Sequence, residues 1–338
     1  MNEIPLHLLF KTVTTRRLIN AGMVLSSFLL SAITKRQRVM GKPFILTVEP
    51  TNVCNLRCPL CVTGNGRMTR TAGKLEFETF KRLIDELGDY LFYILLYQQG
   101  EPFINKSFLD FVAYAKTRRI FVTTSTNAHY FDIDTARRTV ASGLDSIIVS
   151  IDGASQTSYE TYRVGGELAK VTAGVRNLVA ERNRQRSRTP KVFIQFIMMR
   201  HNEREIASMR ELTRDLGADK LLLKTVQVET EAEAVQWLPA DESRRRYRTG
   251  NGSLQPKRKA IGPCVRPWTS SLINWDGSVV PCCFDKNGEY EFGSTKNGKE
   301  FSQIWMSEKY DLFRDKMLTE RSSLSICRNC SQGIRLYL

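Results

Sequence analysis

Histidine is nearly absent from this chain, with three in 338 residues. A metal site built here must lean on thiolate, and such sites favour iron–sulfur clusters or zinc. Also lacking is an uninterrupted apolar run of about 20 residues, the length a membrane-spanning helix needs. The nearest approach, residues 18–33, is diluted by Asn20, serine, alanine and glycine. No small-residue cleavage site follows it, so a secretory signal is not expected. Acidic side chains are outnumbered, 35 against 50 Lys and Arg, for a formal charge of +15. That excess suits anionic partners such as a membrane surface, nucleic acid or an acidic small molecule, without choosing among them. Disorder is excluded, because 42% of the residues are hydrophobic and a sizeable core can form.

What is present in quantity is cysteine: Cys54, Cys58, Cys61, Cys264, Cys282, Cys283, Cys327 and Cys330. In a reducing cytoplasm, the expected location, tight groups of thiols point to metal rather than disulfides.

Apolar runs at 44–49, 93–97, 120–124, 146–151, 192–199 and 220–226 read as buried strands. Helix-period segments separate them, at 79–87, 107–116, 135–141, 171–184 and 203–216. Strand–helix alternation implies crossover units and a parallel sheet. The expected fold is α/β, a partial (β/α)6 TIM-type barrel over 43–240, followed by a small α+β domain over 261–338 that holds five of the eight cysteines. In such barrels chemistry gathers at the C-terminal ends of the strands. Residues 241–260, basic and turn-rich, read as a linker. They lack the interleaved aromatics of a nucleic-acid arm apart from Tyr247, so nucleic acid is not an expected partner. Residues 1–42 form a basic-flanked helical region. It lies either on a membrane surface or across one end of the following domain.

Just past the first strand, the segment EPTNVCNLRCPLC places Cys54-x3-Cys58-x2-Cys61 on one tight loop. Three thiolates can ligate three irons of a cubane and leave the fourth open to a chelating small molecule. A zinc knuckle would want a fourth ligand nearby, and the next Cys or His is His129. This spacing resembles the radical S-adenosylmethionine (SAM) superfamily. The resemblance implies Cys54, Cys58 and Cys61 as ligands of a [4Fe–4S] cluster whose unique iron binds SAM. Leu60 stands where that family usually has an aromatic residue near the adenine. Other positions resemble the family in the same order. Gln99-Gly100-Glu101-Pro102 is similar to its G-G-E-P turn, implying that Gly100 and Glu101 receive the SAM ammonium. Ser125-Thr126-Asn127 resembles its T-N-G turn. SIDGASQTSYETYR, residues 150–163, resembles the stretch where Ser150 would meet the ribose and Arg163 the carboxylate.

The C-terminal pattern, Cys264-x12-Gly277-x4-Cys282 with a closing Cys327-x2-Cys330, resembles SPASM/twitch extensions. It is especially similar to the twitch of an inosamine dehydrogenase from aminoglycoside biosynthesis. The resemblance implies an auxiliary [4Fe–4S] cluster on Cys264, Cys282, Cys327 and Cys330, with Cys283 left over. A zinc ribbon from the same residues is the alternative.

The implied activity is that of a radical SAM oxidoreductase. A 5′-deoxyadenosyl radical takes hydrogen from a substrate C–H bond, and the auxiliary cluster accepts an electron. Dehydrogenation or hydroxylation follows. A flavodoxin- or ferredoxin-type donor is expected. Candidate bases at strand ends are Asp152, Lys224 and His201, with Gln98 and Glu229 beside them. The substrate is expected to be a small or apolar metabolite, for instance a tetrapyrrole such as a bacteriochlorophyllide undergoing methyl-to-formyl oxidation. Peptide, protein, glycan or lipid modification is the alternative within the class. A zinc-stabilised nucleic-acid-binding protein is the alternative outside it.

Overall fold

A computed structural model describes residues 10–250, 253–257 and 262–330. The helices, in chain order, are α1 (Thr15–Thr34), α2 (Phe77–Leu87), α3 (Phe108–Thr117), α4 (Ile133–Ala141), α5 (Gln156–Tyr162), α6 (Leu168–Arg184), α7 (Ile206–Asp215) and α8 (Glu231–Trp237), then α9 (Arg266–Thr269), α10 (Phe301–Trp305), α11 (Glu308–Thr319) and α12 (Ser325–Arg328). The strands are β1 (Ile45–Val48), β2 (Tyr93–Leu95), β3 (Phe121–Thr126), β4 (Ser146–Ser150), β5 (Lys191–Met198), β6 (Lys220–Thr225), β7 (Tyr247–Gly250), β8 (Ser253–Pro256), β9 (Ser270–Ile273), β10 (Ser278–Val280) and β11 (Gly293–Ser294). Strands were expected where β1 to β6 lie, and each is found within a residue or two of its expected bounds.

Two compact units divide the chain. One combines Met1–Val53, Thr69–Thr123 and Lys259–Leu338; the other combines Cys54–Met68 with Thr124–Arg258. In the first, β1 pairs in parallel with β2, and β2 with β3. In the second, β4, β5 and β6 are parallel, in the registers Ser146↔Lys191 and Phe193↔Lys220. All five residues of β4 are buried, as expected for a parallel strand covered on both faces. Local chemistry sets the helix starts. Asp132 caps α4 by accepting from Thr135 N at 2.7 Å. Thr230 and Glu233 form a capping box on α8.

The packing adds to two expectations. The C-terminal segment, expected as a small α+β domain, clusters with the first unit and extends its sheet. Its β9 adds in parallel to β1, Ile45↔Ser270 through Val48↔Ile273, and β10 and β11 follow antiparallel. The apolar run Leu272–Ile273 satisfies the open edge of β1, which would otherwise expose unpaired backbone groups. The described part of 241–260, expected as a linker, contains a hairpin. β7 and β8 form an antiparallel hairpin, Tyr247↔Pro256 through Gly250↔Ser253. Tyr247 is buried in a cluster with Trp237, Leu238 and Val228. One large aromatic side chain outweighs the surrounding charge.

Asp219 ties the start of β5 to the turn before β6. Its carboxylate accepts from Val192 N (2.8 Å), Lys191 Nζ (3.0 Å) and Arg182 Nη1 (2.5 Å). Burial alone would raise its pKa, but these donors outweigh burial and hold it below the usual aspartate value. A depressed folded-state pKa gives stability that is present above the unfolded value of about 3.9 and is lost as pH falls through the folded one. Asp219→Ala is expected to cost about 1–3 kcal/mol near neutrality. The urea midpoints of variant and native chain should converge below that range; a constant gap across the titration would contradict this role.

Candidate active site

The three-cysteine loop belongs to the second unit, and that unit supplies its surroundings. Cys61 N donates to Cys58 O at 3.1 Å and Asn65 N to Cys61 O at 2.9 Å, winding the segment into tight turns. A Cβ on Gly64 would lie 2.5 Å from Cys58 N, so only glycine allows the loop to fold back on itself there. Leu56, Tyr162, Met199, Val226 and Val228 form the apolar floor, against which Cys54, Leu60 and Cys61 pack. Leu60 thus has a packing role in place of the aromatic expected near an adenine.

Each of two sulfurs has its own donor. Asn127 Nδ2 lies 3.8 Å from Cys54 Sγ and donates to Asn55 Oδ1 at 2.8 Å. Arg163 Nη1 lies 3.8 Å from Cys58 Sγ. Burial pushes the Cys58 thiol up, while the Arg163 charge pulls the other way. A buried thiol of that kind becomes a thiolate when it gains a cationic partner, and donors to sulfur then stabilise the ligated form. Among the described residues no three His, Cys, Asp or Glu side chains close on one ion; a cubane instead takes one thiolate per iron. His129 is committed elsewhere. Its Nε2 accepts from Glu167 N at 2.9 Å and its Nδ1 faces Asn127 O at 3.1 Å, while burial lowers its pKa and keeps it neutral. The donor set therefore fits an iron–sulfur cluster, and among the described residues it offers zinc no fourth ligand.

Asp152, a candidate base, sits in a buried ion pair. One oxygen accepts from Arg163 at 2.6 Å and the other from Ile197 N at 2.6 Å, with the side chain fully buried. Both carboxylate oxygens are thus engaged by protein donors. His201 packs edge-on to Trp237 at 5.9 Å, and burial lowers its pKa. Lys224 lies on β6 and is half-buried; Glu229 pairs with Arg67 at 3.5 Å on the surface. Ser125 lies on β3, and Ser150, buried, ends β4.

In the first unit, Gly100 has a φ of +73°, and a Cβ there would lie 2.5 Å from Thr51 O. Glu101 N donates to Val53 O at 2.8 Å, so this turn is sewn to the chain entering Cys54. The buried Glu101 carboxylate accepts from Phe103 N at 3.2 Å. Gln98 donates to Cys283 O at 3.2 Å. Sequence reasoning missed Glu49, which directly follows β1. It is fully buried and takes both arms of Arg70 at 2.7 Å, with Trp275 N donating at 3.2 Å. A carboxylate closing an apolar strand run was its signal.

The same unit gathers the C-terminal thiols. Burial raises Cys264 and Cys282 and pushes Cys327 up to about 11, with neighbouring thiols adding to each shift. Arg321 Nη2 lies 3.9 Å from Cys330 Sγ, and Arg266 Nη1 lies 3.5 Å from the exposed Cys283 Sγ. A cavity of about 150 Å³ opens beside them, lined by Thr47, Leu95, Tyr97, Leu272 and Cys282 among others.

Parallel β/α units and a three-thiol loop after the first strand define an α/β iron–sulfur protein. Comparison makes this specific. Residues 48–213 match the Radical SAM superfamily, and residues 264–331 match SPASM, an iron–sulfur cluster-binding domain. The chain belongs to the radical SAM superfamily and carries a C-terminal SPASM domain. Its cofactors are accordingly SAM, a SAM-binding [4Fe–4S] cluster and auxiliary iron–sulfur. It is 25% identical over 315 residues to a tungsten-containing aldehyde ferredoxin oxidoreductase cofactor-modifying protein of Pyrococcus furiosus, covering 85% of this chain and 86% of that one. A mycofactocin maturase of Mycobacterium ulcerans is 26% identical, covering 86% and 81%, and a PqqA peptide cyclase of Rhodopseudomonas palustris is 23% identical, covering 81% and 76%. Among solved structures, BtrN in complex with AdoMet and 2-DOIA shares the fold at a TM-score of 0.52, with 17% identity and coverage of 86% and 94%. The anSMEcpe structure with bound AdoMet does so at 0.59, with 13% identity and coverage of 87% and 89%.

Proposed function

We propose that this chain is a radical SAM oxidoreductase with Cys54, Cys58 and Cys61 on the SAM-binding cluster and Cys264, Cys282, Cys327 and Cys330 on a fully ligated auxiliary one. The first cluster, when bound, supplies the electron that cleaves SAM to the 5′-deoxyadenosyl radical. The observation that carries the oxidative reading is the second thiol group. Cys264, Cys282, Cys327 and Cys330 lie near enough to influence one another's ionisation, Arg321 stands 3.9 Å from the Cys330 sulfur, and a mostly apolar cavity reaches Cys282. A cluster ligated by all four thiolates would have no open iron for a substrate atom and would supply an acceptor for the electron that a substrate radical must lose. Asn127 and Arg163 hold the first set of sulfurs. Gly100 and Glu101 serve the SAM ammonium, and Ser150 the ribose side. A flavodoxin- or ferredoxin-type donor supplies the electrons.

The cavity is smaller than the 300–1,000 Å³ that encloses a whole small molecule. It suits one apolar group of a small or hydrophobic metabolite, with a tetrapyrrole methyl as one case. The similarity to the mycofactocin maturase and the PqqA peptide cyclase favours a second reading, oxidation of a peptide side chain. Anaerobically reconstituted protein is expected to hold about eight irons, as two [4Fe–4S] centres of which one changes its signal on SAM addition. Cys264→Ala with Cys282→Ala should remove about half the iron and abolish substrate oxidation while SAM cleavage persists. A single centre indifferent to SAM would overturn the assignment.

A further inference from the structure

α1 is built the wrong way round for a helix covering a core in water. Its buried face carries Arg17, Asn20, Ser27 and Ser31 beside Val24 and Phe28. The opposite face leaves Leu18, Ile19, Met23, Leu29, Leu30 and Ile33 exposed, Leu29 at 60% and Ile33 at 80%. Ile19, Met23, Leu30 and Ile33 recur at i, i+4, i+11 and i+14, so the exposed apolar residues form one stripe along the helix. The buried polar groups are bonded. Arg17 reaches Gly88 O and Arg118 O at the C-terminal ends of α2 and α3 (2.8 and 2.6 Å). Asn20 exchanges bonds with Lys42, and Ser31 with Arg38. Phe28 meets the Trp268 ring edge-on at 5.3 Å. These bonds hold α1 against its own unit. Although it is the one described helix long and apolar enough to cross a bilayer, crossing would strip every one of them.

Charge indicates what covers the stripe. From residue 10 to residue 42 there is no Asp or Glu, while Lys11, Arg16, Lys35, Arg36 and Arg38 are exposed at or near the two ends of the helix. Arg16 pairs with Asp89 at 3.1 Å; among the described residues, no hydrogen bond or ion pair engages the side chains of Lys11, Lys35, Arg36 or Arg38. An apolar face bounded by cations matches a surface with anionic headgroups over acyl chains. We infer that α1 docks this protein on an anionic lipid bilayer, lying in the interface with its apolar stripe toward the acyl chains and its polar face toward the enzyme. The inference is independent of the catalytic assignment.

The full cluster-loaded chain, floated with phosphatidylcholine vesicles with or without phosphatidylglycerol, tests it. Binding is expected on the anionic vesicles and should weaken as salt rises. Leu29→Glu with Ile33→Glu should reduce the partition coefficient about tenfold or more, leaving SAM cleavage and helix content unchanged. Lys35→Gln, Arg36→Gln and Arg38→Gln together should weaken binding to anionic vesicles. Absence of vesicle binding by the native chain, or binding indifferent to the stripe variant, overturns the inference. So does a concentration-dependent dimer that the stripe variant dissociates, because a second copy would then be the covering surface.

Discussion

Replacing Cys54, Cys58 and Cys61 together with alanine is expected to abolish 5′-deoxyadenosine formation from SAM, a loss on the order of 10³-fold or more. Reductive cleavage needs an electron delivered to the sulfonium at bonding range, and no other group on this loop can carry one. Asn127 and Arg163 stand beside the sulfurs as donors and hold no electrons to give. The variant should retain the C-terminal thiols and thus about half the iron, which separates loss of one cluster from collapse of the protein. Cys58→Ser alone should come close to the triple variant. Its sulfur is the buried one of the three, and a buried hydroxyl beside Arg163 is a poor ligand for iron. Product analysis by chromatography and iron counting on the same anaerobic sample decide it. Undiminished 5′-deoxyadenosine from the triple variant would remove the basis of the proposed function.

Much of this was legible in the sequence because the signals were local. Six apolar runs bounded by turn residues became β1 to β6, and the cysteine spacing marked the loop after β1. Long-range pairing was what the sequence hid. Nothing near Ser270 says that β9 will add beside Ile45, since the edge it satisfies is created more than two hundred residues earlier by the fold itself. The β7–β8 hairpin was obscured by its charge, although Asn251-Gly252 between two short segments is a hairpin signature. Residues 1–42 were read from their apolar content, while the decisive feature is which face is buried. Periodicity finds an amphipathic helix, but only the tertiary structure shows that its polar face is the one turned inward. The surroundings of the candidate bases were hidden for a related reason. Asp152 was chosen for its place at a strand end, and that place also brings it to Arg163 and Ile197 N.

That pairing leads to the second large effect. Arg163 and Asp152 form an ion pair with side-chain exposures of 14% and 0%. Arg163 also faces Cys58 and lies 5.4 Å from the Tyr162 ring centroid. Burial alone would favour neutral arginine, but the Asp152 charge dominates and keeps the guanidinium firmly protonated. Removing one partner strands the other charge where water does not reach, at a cost of about 3–5 kcal/mol. Arg163→Met and Asp152→Leu should therefore each lower the urea midpoint sharply. The double variant should recover much of the loss, because two apolar groups leave no unpaired charge behind. Cluster content separates the two singles further. Arg163→Met deprives the Cys58 thiolate of its nearby cation and should load less iron than Asp152→Leu, in which that cation remains. Stability losses that simply add in the double variant would show that the two residues act independently, and Asp152 would return as a candidate for proton transfer.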